Sequence, residues 1–366
     1  MRTFPTLTVY IARNYLGALA WVLLVVGGLL FLFDSIELIR RAGSREVRME
    51  TILAMALFHL PTLLQSTLSF VFMAAGLLCF WRFSRSSELV VFRGIGLSAW
   101  RFLAPVIGTV AVLSVLNVTV FNPVTAALYK RYERLEPVLE GGRVAPMAVS
   151  SGGFWLREVT PDGTVVTHAR GARQEGRVLS LNDVTVFRFD PAGKFLERTD
   201  AQTAVLGHDE LLLSNVIETR PGFAPERYEN RSLPTDLTLP KIRESFSSPE
   251  TISFWGLLSV IRFFEAAGFS ANDHRLYFHS LLASPVLTLA MVLLGAVFSI
   301  GAAQRSANWL LRLSGATAVG FGVYVLERVT LALGRSETLP IALAVWAPAF
   351  IALFIALFFI FHIEDG

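Results

Sequence analysis

Hydrophobic positions along the chain fall into six long runs, three on either side of a polar middle. Residues 14–33 and 102–121 carry no charged side chain, and 51–81 carries none apart from the titratable His59. Residues 276–304 and 338–361 are likewise uncharged except for His279. The run 313–326 is shorter and meets Glu327 and Arg328, but 329–334 extends it. A hydrocarbon core about 30 Å thick needs roughly 20 apolar residues in a helix, so the pattern predicts six membrane-spanning helices. The first run is too long for a cleavable leader and has no small-residue cleavage site before Asp34. Pro61, Pro105, Pro285 and Pro348 lie inside these runs, where kinks are expected.

The polar middle, residues 122–275, reads as strands. Alternating or β-branched runs occupy 154–158, 164–169, 177–189, 196–206 and 211–219. Turn chemistry separates them at Pro161-Asp162-Gly163, at Asp190-Pro191-Ala192-Gly193 and at Gly207-His208-Asp209. Strands at this spacing predict an all-β sandwich or jelly roll. Residues 248–268 turn helical, with Leu257, Leu258, Ile261, Phe264 and Glu265 at three-and-four spacing. The expected class is thus a polytopic α-helical membrane protein with an inserted β-jelly-roll-like domain. Its expected segments are 1–121, 122–275 and 276–366, with a loop at 82–100.

Composition supports that class: 53% of the 366 residues are hydrophobic and only 17% charged. This excludes a water-soluble enzyme of this length. Of the 32 basic and 29 acidic side chains, 18 and 20 lie within 122–275, which marks that segment as water-facing. A pI near 9.2 accompanies a net charge of only +3 and no basic run long enough to track phosphates, which argues against nucleic acid. The lone Cys79 sits in an apolar run and provides neither a disulfide framework nor a metal-ligand cluster. With the N-terminus inside, short inner loops hold eight arginines and outer ones six, so the basic-inside rule favours an external middle domain. That leaves Arg40, Arg41, Arg45 and Arg48, just outside the first span, as an anomaly.

No G-x-x-x-x-G-K-[ST] phosphate loop occurs, so the chain has no nucleotide site of its own to hydrolyse ATP. Gly94-Ile95-Gly96 is a turn. In the loop Arg82-Phe83-Ser84-Arg85-Ser86-Ser87-Glu88-Leu89-Val90-Val91-Phe92-Arg93, Ser86 or Ser87 can cap a short helix with Glu88 in its first turn, and Gly94 can end it. Such a helix would present Leu89, Phe92 and Arg93 either to a cytoplasmic partner or to lipid headgroups. Glu327 and Arg328, ionisable residues at the end of the fifth span, are functional candidates or snorkel to the interface. Ala316, Gly320 and Gly322 offer a close helix seam, and His59 reads as a packed span residue.

The layout of three spans, an outer β domain and three spans, with Ser87-Glu88-Leu89-Val90-Val91-Phe92-Arg93-Gly94-Ile95-Gly96-Leu97-Ser98, resembles the lipopolysaccharide-export permeases of the LptF/LptG family. Phe33-Asp34-Ser35-Ile36-Glu37-Leu38-Ile39-Arg40-Arg41 and Gly152-Gly153-Phe154-Trp155-Leu156-Arg157 look more like LptG than LptF. The likeness runs on to Leu339-Pro340 and Trp346-Ala347-Pro348, with Phe278-His279-Ser280 departing from a basic residue expected before Pro285. It implies an inner-membrane permease of a Gram-negative bacterium, with cytoplasmic termini and a periplasmic β domain. It also implies a sister permease LptF, a dimeric cytoplasmic ATPase LptB that uses ATP and magnesium, and the bridge protein LptC. The implied substrate is lipopolysaccharide, drawn from the outer leaflet, and no cofactor is held by this chain. Glu88, Leu89, Phe92 and Arg93 would couple to the ATPase. Arg40 and Arg41, whose guanidinium forks suit lipid A phosphates, would touch lipid together with Arg131, Arg134, Glu327 and Arg328. Lys130, Arg131 and Arg134 alternate with Glu133 and Glu136, which favours pairing along the helix, and Arg45 and Arg48 read as acid-paired. An ion-coupled secondary transporter and a membrane-anchored sensor or scaffold are the alternatives. The first needs mid-span charges, whereas mid-span positions hold only polar groups such as Gln65, Ser66 and Asn117.

Overall fold

The structure, a computed structural model, describes residues 5–43, 47–88, 91, 94, 98–140, 147–150, 153–160, 163–175, 178–207, 210–235, 248–266, 270–300 and 309–365. Among these residues, six helices are long and apolar enough to cross a membrane. The chain divides into two compact units: Met1–Glu140 with Glu250–Leu257 and Asn272–Gly366, and Gly141–Pro249 with Leu258–Ala271.

The first unit contains α1 (Pro5–Ala42), α2 (Met49–Arg85) and α3 (Ala99–Leu116), then a π-helical turn Asn117–Phe121 that runs straight into α4 (Asn122–Glu140). After the β strands comes α5 (Phe254–Ala266), of which only the part up to Leu257 belongs to this unit, followed by α6 (Asn272–Ile300), α7 (Trp309–Arg335) and α8 (Ile341–Asp365). The helical unit thus continues past residue 122 to Glu140. Loss of the uncharged run at 122 does not end the helix, because Tyr132 and Leu139, with partly buried Tyr129 and Leu135, continue an apolar stripe at three-and-four spacing. That stripe packs with Leu38 of α1 and Ile52, Met55 and Ala56 of α2. Asn122, fully buried, ties this joint together: its Oδ1 accepts from Phe254 N at 2.7 Å and its amide donates to Tyr277 Oη at 3.0 Å. Trp255 Nε1 donates to Thr119 O, inside the π turn, at 3.1 Å.

The main core joins Ile11 and Tyr15 of α1, Phe72, Phe80 and Phe83 of α2, Phe102 and Val106 of α3, Met291 of α6 and Ala352 of α8. The four prolines lie inside α2, α3, α6 and α8. Small residues set the closest approaches. A Cβ built at Gly295 meets Met73 O at 2.9 Å, and one at Gly320 runs into the Met73 side chain. Of the seam expected on α7, Ala316 and Gly320 are packed, but Gly322 faces open space.

The second unit is one seven-stranded antiparallel sheet whose strands pair in chain order. They are β1 (Met147–Ser150), β2 (Gly153–Thr160), β3 (Gly163–Glu175), β4 (Val178–Phe189), β5 (Phe195–Leu206), β6 (Glu210–Thr219) and β7 (Glu226–Pro234). Among the described residues the separate antiparallel β domain is present as expected, and its strand order is sequential. Short connections make each strand pair with its successor, which produces a meander and not Greek keys. Gly163 makes one such turn possible: with φ +139°, any Cβ there would collide with the Phe189 carbonyl.

A crease crosses the meander. Arg170, Asp183, Gln202, Asn215 and Glu229 stand opposite one another at the breaks in the β3/β4, β4/β5, β5/β6 and β6/β7 ladders. Asp183 and Asn215 take the left-handed conformation that their residue types tolerate, with φ 50° and 54°. Asn215 Nδ2 donates to Gln202 Oε1 at 2.8 Å, and Arg170 reaches Asp183 at 3.5 Å. The burial period is therefore interrupted there: Leu179 and Leu181 are buried, then Val184 and Val186; Leu211 and Leu213, then Val216 and Glu218. One face thus stays inward on both sides of the crease. The inner face on one side is apolar, with Leu179, Leu181, Ala204, Leu211, Leu213 and Leu233. On the other it leads to buried Glu158, Glu197 and Glu218. Arg188 reaches Glu197 at 2.8 Å, and Arg220 and Arg231 pair with Glu218.

Candidate functional site

Two ends of the helical unit carry chemistry. At the C-terminal end of α1, the side chains of Glu37, Arg40 and Arg41 lie on one face at three-and-four spacing. Arg40 grips Glu37 through both oxygens, Nε to Oε2 at 2.8 Å and Nη2 to Oε1 at 2.7 Å, and Arg41 Nε donates to Oε1 at 3.1 Å. Arg41 also reaches Glu136 on α4 at 3.8 Å. The side chains of Arg40 and Arg41 remain 75% and 50% exposed. The structure thus brings Arg40 and Arg41 together as expected, but engaged with an acid. Glu37 thus serves as the shared acid of this pair. Glu136, expected to pair along α4, reaches across to α1. The reason is depth: Glu37 is one turn before the arginines on the same helix, and α4 packs alongside. Arg131 and Arg134 are exposed on α4 while Tyr132 between them is buried. Arg48 pairs with Glu50 at 2.8 Å, whereas Arg45 lies outside the described residues.

One turn deeper, the structure shows a polar contact that the sequence reading missed. His59 Nδ1 lies 2.9 Å from Asp34 Oδ1, joining α2 to α1 with both side chains largely buried. Tyr132 of α4 stacks on the His59 ring at 4.5 Å, and Tyr129 stacks on Tyr132. Asp34 Oδ2 is buried without a hydrogen-bond partner among the described residues. The signal was available in depth: Asp34 precedes the end of α1 by eight residues and His59 follows the start of α2 by ten. At about 1.5 Å per residue, antiparallel neighbours place those positions at nearly one level. Asp34 is thereby committed to the contact between α1 and α2.

At the opposite end of α1 lies Glu88. Its Oε2 accepts from Tyr10 Oη of α1 at 3.1 Å and its Oε1 from Ser86 Oγ at 2.8 Å. Ser86 was one of the two serines expected to cap the helix that follows. It instead closes α2, its hydroxyl also lying 3.1 Å from Arg82 O and 3.3 Å from Phe83 O. Val91 N donates to Ser87 O at 3.3 Å, a helical-turn bond that begins at Ser87. Leu89, Phe92 and Arg93 lie outside the described residues.

Glu327 and Arg328 do not form an ion pair among the described residues. Successive helical positions diverge by about 100°. Glu327 faces a small cavity between α2, α6 and α7 with Ser66, Thr67, Ser69 and Tyr324, while Arg328 lies over the Tyr324 ring at 5.0 Å.

Compared with known protein families, the chain matches, over residues 9–362, the family described as lipopolysaccharide export system permease LptF/LptG. No curated protein matches. The chain belongs to the LptF/LptG permease family, a family of multi-pass transport components for lipopolysaccharide that work in complex with other Lpt proteins.

Proposed function

We propose, on the premise of that family membership, that the chain is the LptG-type half of an ATP-driven exporter. It pairs with an LptF-type permease and is driven by a dimeric cytoplasmic LptB ATPase, with LptC as the bridge that receives lipid. The termini and Glu88 face the cytoplasm of a Gram-negative cell, and the β unit faces the periplasm. Lipopolysaccharide enters from the outer leaflet of the inner membrane at the Arg40–Arg41 end. Glu88, with Leu89, Phe92 and Arg93, receives the ATPase. The observation that supports this reading is the pair of exposed arginine side chains at the C-terminal end of α1, which the proposal sets at headgroup level. Arg131 and Arg134, exposed on neighbouring α4, widen the same basic face, and Glu327 and Arg328 are secondary lipid contacts. Purification of the native complex from membranes, followed by identification of its protein subunits and bound lipid, tests it. A stoichiometric ATPase, a second permease and bound lipopolysaccharide are expected. A chain that purifies alone, with ligand confined to the β unit, would support a sensor or scaffold instead.

The inner face of the meander is proposed to carry acyl chains. Photo-crosslinkers at Leu211 and Leu213, both buried, are expected to capture lipid during ATP turnover. The same probe at Leu212, 45% exposed on the opposite face, is expected to stay silent. Capture at all three sites alike would show that the pleat does not direct the lipid.

A further inference from the structure

We infer that α1 is the rod that carries motion from the Glu88 segment to the Arg40–Arg41 end, with the Tyr10 hydroxyl as its joint. This rests on the proposed reading that Glu88 receives the ATPase. The joint is the bond from Tyr10 Oη to Glu88 Oε2 at 3.1 Å, which links residues 78 apart in sequence. Ser86 Oγ holds the other carboxylate oxygen at 2.8 Å, and the Tyr10 ring packs 6.0 Å from Phe83 near the end of α2. Each carboxylate oxygen keeps a lone pair, so Glu88 can accept a donor from outside the chain while it stays tied to α1. Displacement of Glu88 therefore pulls on Tyr10.

Three features make α1 the element that would transmit such a pull. It is continuous: α1 runs for 38 residues with no proline beyond its first position. The helices α2, α3, α6 and α8 each contain an internal proline, the commonest cause of a kink. It is long enough, since the 30 residues from Tyr10 to Arg40 span about 45 Å at the helical rise. Its middle is lightly packed: only 11% of its most apolar window is buried in this chain, against 39% for α2 and 61% for α6, while Ile11 and Tyr15 near one end and Asp34 and Leu38 near the other hold it to its neighbours. A Cβ built at Gly27 would lie 3.8 Å from the Leu64 methyl groups, and the backbone stays helical through Gly28. α2 also connects the two ends, but Pro61 interrupts its hydrogen-bond ladder and its middle is locked to α6 where Gly295 meets Met73. A force entering at Tyr10 thus emerges at the side chains of Glu37, Arg40 and Arg41, where the acid–base contacts can be reset against a phosphate.

The test uses the full complex with its ATPase in lipid vesicles containing lipopolysaccharide, and compares Tyr10→Phe with Glu88→Ala. Tyr10→Phe keeps the ring against Phe83 and deletes only the hydroxyl. The lipid exported per ATP hydrolysed is expected to fall by about fivefold, the change that one lost hydrogen bond brings. Spin labels on Ile39 and Met49 are expected to change separation between nucleotide-free and nucleotide-bound states in the parent chain and to lose that change in Tyr10→Phe. An unaltered export ratio and an unaltered label movement in Tyr10→Phe, beside a defective Glu88→Ala, would overturn the rod alone. A Glu88→Ala chain with normal ATPase docking and export would remove the reading beneath it.

Discussion

Charge reversal at both Arg40 and Arg41 is expected to lower lipid capture and lipid-stimulated ATP hydrolysis by roughly tenfold, because two charge-assisted phosphate contacts are replaced by repulsion. The local surroundings enlarge the effect. Glu37 already bonds both arginines and Glu136 reaches Arg41, so two new glutamates would leave four acids at one end of α1 and α4. The effect should shrink with added salt, since both arginine side chains are at least half exposed. Lysine at both positions should keep part of the activity, as the charge survives while the planar fork is lost. Reversal of Arg45 and Arg48 should do much less, Arg48 being engaged by Glu50 in an exposed pair. Glu37→Gln gives the opposite sign: it releases both guanidinium groups from their internal acceptor, and lipid capture should rise. Equal defects from the inner and outer pairs would mean general loop electrostatics. A fall in capture with Glu37→Gln would mean that the carboxylate organises the arginines instead of competing for them.

Glu218→Ala is expected to destabilise the β unit by about 2 kcal/mol, the range for losing charge-assisted bonds to a buried acid, because the arginines left behind stay partly solvated. The Glu218 side chain is 1% exposed and paired with both Arg220 and Arg231, and Arg220 also bonds Glu197. Removing the acid leaves two cations at the polar side of the crease without their central acceptor. Hydrogen exchange of the β5 and β6 amides in the full-length chain measures the loss directly, and the helical unit serves as the internal control. Glu226→Ala, at an exposed position on β7, should change exchange by no more than about 0.5 kcal/mol. Equal exchange in Glu218→Ala and the parent chain would show that the arginines find other acceptors.

The membrane helices were legible because each needs an apolar length that no soluble element requires, and the pattern located all six. The ends were less legible. Helices continue past the hydrocarbon wherever a stripe of buried side chains carries on, as α4 does through Tyr132 and Leu139, and such a stripe is hidden among charges. Five of the seven strands were visible as alternating runs. β1 is only four residues long, and β7, Glu-Arg-Tyr-Glu-Asn-Arg-Ser-Leu-Pro, is exposed at most positions, so neither shows the alternation that burial imposes. Sheet order was not legible, because strand length and spacing do not say whether neighbours in sequence are neighbours in the sheet. Nor was the crease: Asp183 and Asn215 read as ordinary polar interruptions until their alignment across strands is seen.

At the candidate site, residue identity determined the kind of chemistry and the fold determined its partners. Arginine pairs and a carboxylate in a loop are local properties, fixed by side-chain type and position relative to an apolar run, so the sequence by itself determined six apolar helices around a polar β segment and carried the resemblance to the permease family. Which acid meets which base depends on the few ångströms separating packed helices. Only the tertiary structure decided that Glu37 holds Arg40 and Arg41, that Asp34 goes to His59, and that Glu88 is tied to Tyr10. Charge interactions fall off with distance and hydrogen bonds within a fraction of an ångström, and residues 78 apart in sequence come into that range only when α1 and α2 pack.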